Sequence, residues 1–176
     1  MIAMNSVIET ILTRRSVRSF SDKAISSEDL SIIAKCAVYA PCARNRQLWN
    51  FAVINNRDTI ARLAKATAKA IGADQSYNFY APTALIIASA PRDYNFGRED
   101  CSCALQNIFL AAHSLSIGSV WINQLCDCYD HPDVRAILNE VGVPDDNAVH
   151  GMAALGYPAA PVTQQTKNEN NIIFKN

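Results

Sequence analysis

Apolar residues along the chain recur first at helical and then at extended spacing, with polar breaks between. Ser6-Val7-Ile8-Glu9 reads as a capping box, in which hydroxyl and carboxylate satisfy free amides at a helix start, opening a short amphipathic helix through Leu12. Ser26 with Asp29 opens a second helix, whose Leu30, Ile33, Ala34, Ala37 and Val38 share one face. Pro41, which lacks an amide hydrogen, stops it. Ala43 to Leu48 reads as a polar loop and Trp49 to Ile54 as a strand at least half buried. Arg57 to Ile71 is alanine-rich and helical, and Gly72 supplies the left-handed residue that ends it. Ala84 to Ala90 is a continuous apolar run, which suits a strand covered on both faces.

Asp100 to Ser116 reads as a long helix, with Leu105, Ile108, Phe109, Ala112 and Leu115, and Gly118 is expected to end it. A helix apolar nearly all round belongs inside a fold or in a subunit interface. Val120 to Asn123 reads as a strand, Pro132 to Val141 as a helix ended by Gly142, and Val149 to Leu155 as the last strand. Helices and strands mix without strict alternation, so the expected class is α+β. The tail, Ala159 to Asn176, turns to Gln, Asn, Thr and Lys. It still carries Ile172, Ile173 and Phe174, which a solvated tail would not need.

The 176 residues suffice for one compact domain with a real core, and 49% hydrophobic against 18% charged residues is a globular balance. Sixteen basic residues match sixteen acidic ones, so no net charge draws the chain to nucleic acid. No apolar run approaches the roughly 20 residues of a membrane span. The start, MIAMNSVIET, lacks the basic and cleavable apolar parts of a signal peptide, so a cytoplasmic protein is expected. The six cysteines (Cys36, Cys42, Cys101, Cys103, Cys126 and Cys128) are then expected as free thiols rather than disulfides.

Two segments carry candidate chemistry. Arg14-Arg15-Ser16-Val17-Arg18 offers three guanidiniums and a hydroxyl just past a helix, able to hold a phosphate through charge-assisted bonds; a solvated basic turn fits the same residues. Asn45 and Gln47, in the loop from Ala40 to Trp49, can donate and accept along the edge of a flat heterocycle, or can cap their own loop. No Gly-x-Gly-x-x-Gly and no Gly-Lys-Ser/Thr loop occurs, which argues against a Rossmann site or a P-loop. His113, His131 and His150 are scattered, and no nucleophile-base arrangement is legible. Cys101 and Cys103, two apart on a helix, point to nearly opposite sides. Cys126, Cys128 and His131 could offer metal ligands, but the usual Cys-x-x-Cys spacing and a fourth ligand are missing, so no metal site is assigned.

Four segments together resemble the FMN-dependent nitroreductase family over nearly the whole chain. Arg14 to Arg18 is similar to its Arg-x-Ser-x-Arg element, and Ala40 to Phe51 to its Ala-Pro-Ser-x-x-Asn-x-Gln-Pro-Trp-x-Phe loop and strand. Ser116 to Asn123 resembles the Leu-Gly-x-Gly-Ser-x-Trp-Ile strand that follows its central helix, and Gly151 to Pro158 its closing strand. The resemblance implies a mostly antiparallel sheet flanked by helices, in an intertwined homodimer. Residues 1–158 would form the FMN-binding domain, and 159–176 an arm exchanged onto the partner.

It further implies an enzyme that uses FMN to move electrons from NADH or NADPH to a nitroaromatic, a quinone or a similar small acceptor. The cofactor would carry the chemistry, with no catalytic side chain. Arg14 would hold the FMN phosphate with Arg15 and Ser16 beside it, and Arg18 would reach the pyrimidine edge of the flavin. Pro41, Cys42, Ala43 and Asn45 would come from the other subunit. Ile122 and Asn123 would lie beside the ring system, and Lys167 would complete the phosphate clamp. The chain departs from the pattern in Cys42 for serine, Leu48 for proline, and the lack of a second basic residue near Lys167. Two rival readings are a non-catalytic flavin-binding protein and a small metal-binding module built on Cys126, Cys128 and His131.

Overall fold

The computed structural model describes residues 5–163 and 165–175. Its strands are β1 (Asn50–Ile54), β2 (Ala84–Pro91), β3 (Gly118–Ile122) and β4 (Asn147–Gly156). Its α-helices are α1 (Ser6–Thr13), α2 (Ser27–Ala37), α3 (Arg57–Ile71), α4 (Gly97–Ser114) and α5 (Pro132–Glu140). The strands form one sheet in the order β1-β2-β4-β3, and every neighbouring pair is antiparallel. The class is α+β, as the pattern of elements implies.

Period-two alternation divides the central strands between two cores. Leu85 and Ile87 of β2 face the core built with α3 and α5, whereas Ala84, Ile86 and Ala88 face the one built with α2 and α4. Every residue from Ala84 to Ala90 is buried, which is why this strand reads as an unbroken apolar run. Each fully buried leucine or isoleucine contributes about 1.5–3 kcal/mol, so the inner strands anchor the fold.

Several boundaries differ from the expectation for physical reasons. Asn5, not Ser6, caps α1, its side chain accepting from the Val7 amide at 2.8 Å, and Ser6 becomes the first helical residue. α4 begins at Gly97 rather than Asp100 and ends before Ser116. The left-handed residue after it is Ser116, at φ 61°, not Gly118. Gly118 has another purpose: a Cβ there would lie 2.8–3.0 Å from the Val17 side chain, so its hydrogen lets the Val17 segment lie against β3. α3 ends as expected at Gly72, with φ 66°. Cys101 is buried and Cys103 exposed, as opposite faces of one helix require, and all six cysteines are free. Among the described residues no helix is long and apolar enough to cross a membrane.

Candidate cofactor site at the edge of the sheet

The arginine segment leaves α1 and lies along the outer edge of β3. Ser16 bridges Ser119 in parallel fashion, with the Val17 amide donating to the Ser119 carbonyl at 2.9 Å. Further on, Phe20 bridges Pro158, the Ser21 amide donates to the Tyr157 carbonyl, and the Ala159 amide donates back to the Ser19 carbonyl. The segment is therefore held by β3 and by the residues that follow β4. Beyond Ser119 the outer edge of β3 has no strand neighbour among the described residues, so its backbone groups remain available.

Arg14 is half-buried at the end of α1, with its guanidinium 5.9 Å from the centre of the Phe109 ring. It has no ion-pair partner among the described residues, and burial, then the neighbouring Arg15, lowers its pKa. A partly desolvated cation beside a like charge is unsatisfied until an anion arrives. Arg15 folds back onto the Leu12 and Arg14 carbonyls, at 2.7 and 2.6 Å, and so closes the C-terminus of α1. Ser16 and Arg18 are exposed on the same edge.

Beneath this segment lies a cavity of about 310 Å³ whose lining includes Thr13, Arg15, His113, Ser116 and Ser119. The Ser119 hydroxyl is buried there without a hydrogen-bond partner among the described residues. Thr13 Oγ1 donates to the Glu9 carbonyl at 2.7 Å, so its 2.8 Å contact with His113 Nε2 has the imidazole as donor. Burial, followed by Arg14 and Arg15, pushes the His113 pKa down and keeps the ring neutral. Neither His113 nor Ser119 stood out in the sequence as a site residue. A polar residue one turn from the end of an apolar helix was the one available hint.

The second segment is held quite differently. After α2, Ala43–Asn45 forms a single tight turn, and Arg44, Asn45 and Gln47 all have positive φ, at 55°, 52° and 52°. Each left-handed non-glycine residue costs about 1–2 kcal/mol. Asp100, 5% exposed in the first turn of α4, holds the turn in place. Its Oδ1 accepts from the Ala43 amide at 3.0 Å and its Oδ2 from the Tyr94 hydroxyl at 2.7 Å. The bond to Asp100, followed by burial, raises the Tyr94 phenol to about 12. Asn45 Oδ1 accepts from Gln47 Nε2 at 3.0 Å, so the loop partly caps itself. Pro41 and Asn45 are exposed, while Cys42 and Ala43 are half-buried.

The two segments lie at opposite ends of α4. Ala43 is tied to Asp100 and Thr13 to His113, and thirteen residues of helix separate those anchors by about 20 Å. One chain does not bring Arg14 and Ala43 together. Ile122, at the far end of β3, buries its side chain and leaves only its backbone for a ligand, whereas Asn123 is exposed. Lys167 is exposed in the tail, and no hydrogen bond or ion pair ties it to another of the described residues.

Cys128 Sγ is turned to the Gln124 carbonyl at 3.4 Å, and burial pushes the Cys126 thiol up to about 11. Among the described residues no three metal-ligating side chains converge.

The family model described as the Nitroreductase family matches residues 11–157. A relative from Archaeoglobus fulgidus, provisionally named NADH dehydrogenase/NAD(P)H nitroreductase, is 34% identical over 88% of this chain and 87% of its own. A crystal structure of a nitroreductase with bound FMN from Bacteroides fragilis superposes with a TM-score of 0.91 at 34% identity, covering 98% of this chain and all of that one. Another FMN-bound nitroreductase, from Desulfitobacterium hafniense, gives 0.87 at 27% identity, covering 98% of this chain and 100% of its own. With sequence, topology and the edge-strand arginine segment in agreement, this chain belongs to the nitroreductase family.

Proposed function

We propose that this protein is an FMN-dependent oxidoreductase that takes electrons from NADH or NADPH and passes them to a nitroaromatic, a quinone or a similar small acceptor. The observation that carries this is Arg14: a half-buried guanidinium with no carboxylate partner among the described residues, beside an open strand edge and between Thr13 and Arg15, which line a neighbouring cavity. The residues fit the group. Arg14 would hold the phosphate with Arg15 and Ser16 beside it, Lys167 would complete the clamp, and Arg18 would reach the pyrimidine edge. Ile122 and Asn123 would lie beside the ring. Bound FMN supplies the two-electron chemistry, and the side chains bind, orient and exclude water. If donor and acceptor share one binding site, turnover would follow a ping-pong scheme.

The active unit in this reading is a homodimer. Pro41, Cys42, Ala43 and Asn45 close a site only on a second copy, because α4 holds them about 20 Å from the arginine segment of their own chain. The surface supports this: Val7, Ile8, Ile11 and Leu12 on α1 are 50–62% exposed, and Ile173 and Phe174 of the tail are 79% and 86% exposed. Residues 1–158 form the cofactor domain and 159–176 an arm that covers such a surface on the partner. The relatives' names and bound cofactor lend further support.

The test is the affinity of Arg14→Ala for FMN and for riboflavin, which lacks the phosphate. Loss of a charged partner should weaken FMN by about 1.5–3 kcal/mol and leave riboflavin almost unchanged. Equal losses for both ligands, or wild-type protein that takes up no flavin, would overturn the reading.

A further inference from the structure

We infer that Arg44 and Arg46 form an anion-recognition site at the mouth of the flavin pocket, selecting substrates that carry a phosphate or carboxylate on a flat aromatic body. This rests on the functional reading above. The two arginines line a cavity of about 520 Å³ together with Asp93, Tyr94, Asn95 and Phe96. Neither guanidinium has an ion pair or a hydrogen bond among the described residues, and Asp93 is the one acidic residue of the lining. Arg46 lies over the Tyr94 ring at 5.3 Å, a contact that orients a guanidinium and leaves its in-plane N–H groups free.

Three further features separate this cavity from an ordinary charged surface. Arg44 stands at φ 55° and ψ 24°, a left-handed conformation that non-glycine residues rarely adopt. Such strain persists where the surroundings impose it, and it gathers at binding sites. The surroundings are the Ala43–Asp100–Tyr94 bonds, which fix the turn from below and present both arginines from a rigid base. The lining is also aromatic: Phe96 is 46% exposed and meets Tyr94 edge-on, at 6.1 Å between ring centres. Cationic donors and an exposed aromatic ring in one lining suit a planar substrate with one anionic end. The cavity adjoins Ala43 and Asn45, the residues that close over the partner's flavin, so a molecule stacked there can reach it.

The anion has two sources: the phosphates of the nicotinamide dinucleotide, or a carboxylate on the acceptor. Inorganic pyrophosphate is first titrated calorimetrically into FMN-saturated wild type, R44Q/R46Q, and R57Q on α3 as a control. The double variant should bind it about tenfold more weakly, and R57Q as wild type does. The KM for the dinucleotide and the kcat/KM ratio of 4-nitrobenzoate to 4-nitrobenzamide are then compared between wild type and the double variant. A raised KM for the dinucleotide assigns the site to the donor, and a collapsed benzoate preference assigns it to the acceptor. If neither changes, the inference is overturned whatever pyrophosphate does. In a protein that takes up no flavin the functional reading falls, and pyrophosphate titration of the same variants alone decides this one.

Discussion

Replacing Asp100 with alanine removes the one carboxylate that ties the Ala43 turn to α4. In the folded protein that carboxylate accepts from the Ala43 amide at 3.0 Å and from the Tyr94 hydroxyl at 2.7 Å. A hydrogen bond to a charged acceptor contributes about 1.5–3 kcal/mol, so the two together contribute about 3–6 kcal/mol. Part is recovered, since Tyr94 can donate instead to the Ala43 carbonyl, already 3.5 Å away, and the variant no longer buries a charge. The expected net loss is about 3 kcal/mol, or about 6–12 °C in Tm for a chain of this length. D100N should lose only about 1 kcal/mol, because its amide can still accept from Ala43 and donate to Tyr94. Urea unfolding at fixed protein and flavin concentration measures both. In either variant the Tyr94 phenol, held at about 12, should titrate nearer its ordinary 10, which ultraviolet absorbance of tyrosinate reports directly. A D100A protein as stable as wild type, with an unchanged tyrosine titration, would refute the tether.

Gly118→Ala should push the Val17 segment off β3, costing about 1–3 kcal/mol of overpacking and weakening FMN; trimming the neighbour in G118A/V17A should restore both, read by unfolding and flavin titration. For His113, whose pKa is lowered from an ordinary 6.5, the unfolded chain binds more protons below that value than the folded one does. The contribution to stability is therefore complete above pH 6.5 and is lost as pH falls from there through the lowered folded value; urea unfolding of FMN-free protein across that window should show the slope, and H113Q should flatten it.

What the sequence could disclose depended on how locally each feature is determined. α3 is fixed by its own residues, from the Asn56 cap to left-handed Gly72, and it was legible to its last residue. β2 was legible because burial on both faces leaves Ser89 as its one polar side chain. The arginine segment and the Pro41–Asn45 loop came from the family resemblance, since a basic turn and a self-capping loop fit the same letters. Asp100, Tyr94, His113 and Ser119 were not legible as site residues. Their partners lie far off in sequence, as the Ala43–Asp100 and Thr13–His113 contacts do, and an acid in the first turn of a helix ordinarily answers the helix dipole. Gly118 also misled, because it marks a close approach to Val17 rather than a helix end.

The pairing of the Ser16–Ser21 stretch with Ser119 and with Tyr157–Ala159 sets the order in which this molecule can be made. During synthesis the stretch emerges about a hundred residues ahead of Ser119 and further still ahead of Tyr157–Ala159, so its hydrogen-bonding partners are complete only after β4 has left the ribosome. Closing loops of more than a hundred residues is entropically expensive and slow, so these contacts form late. Until then the basic stretch is unanchored, and a nascent or truncated chain ending before β4 has no edge to hold it. Under the proposed function, FMN would accordingly act on the finished domain as a ligand that stabilises it by mass action, rather than as a scaffold for the earlier elements.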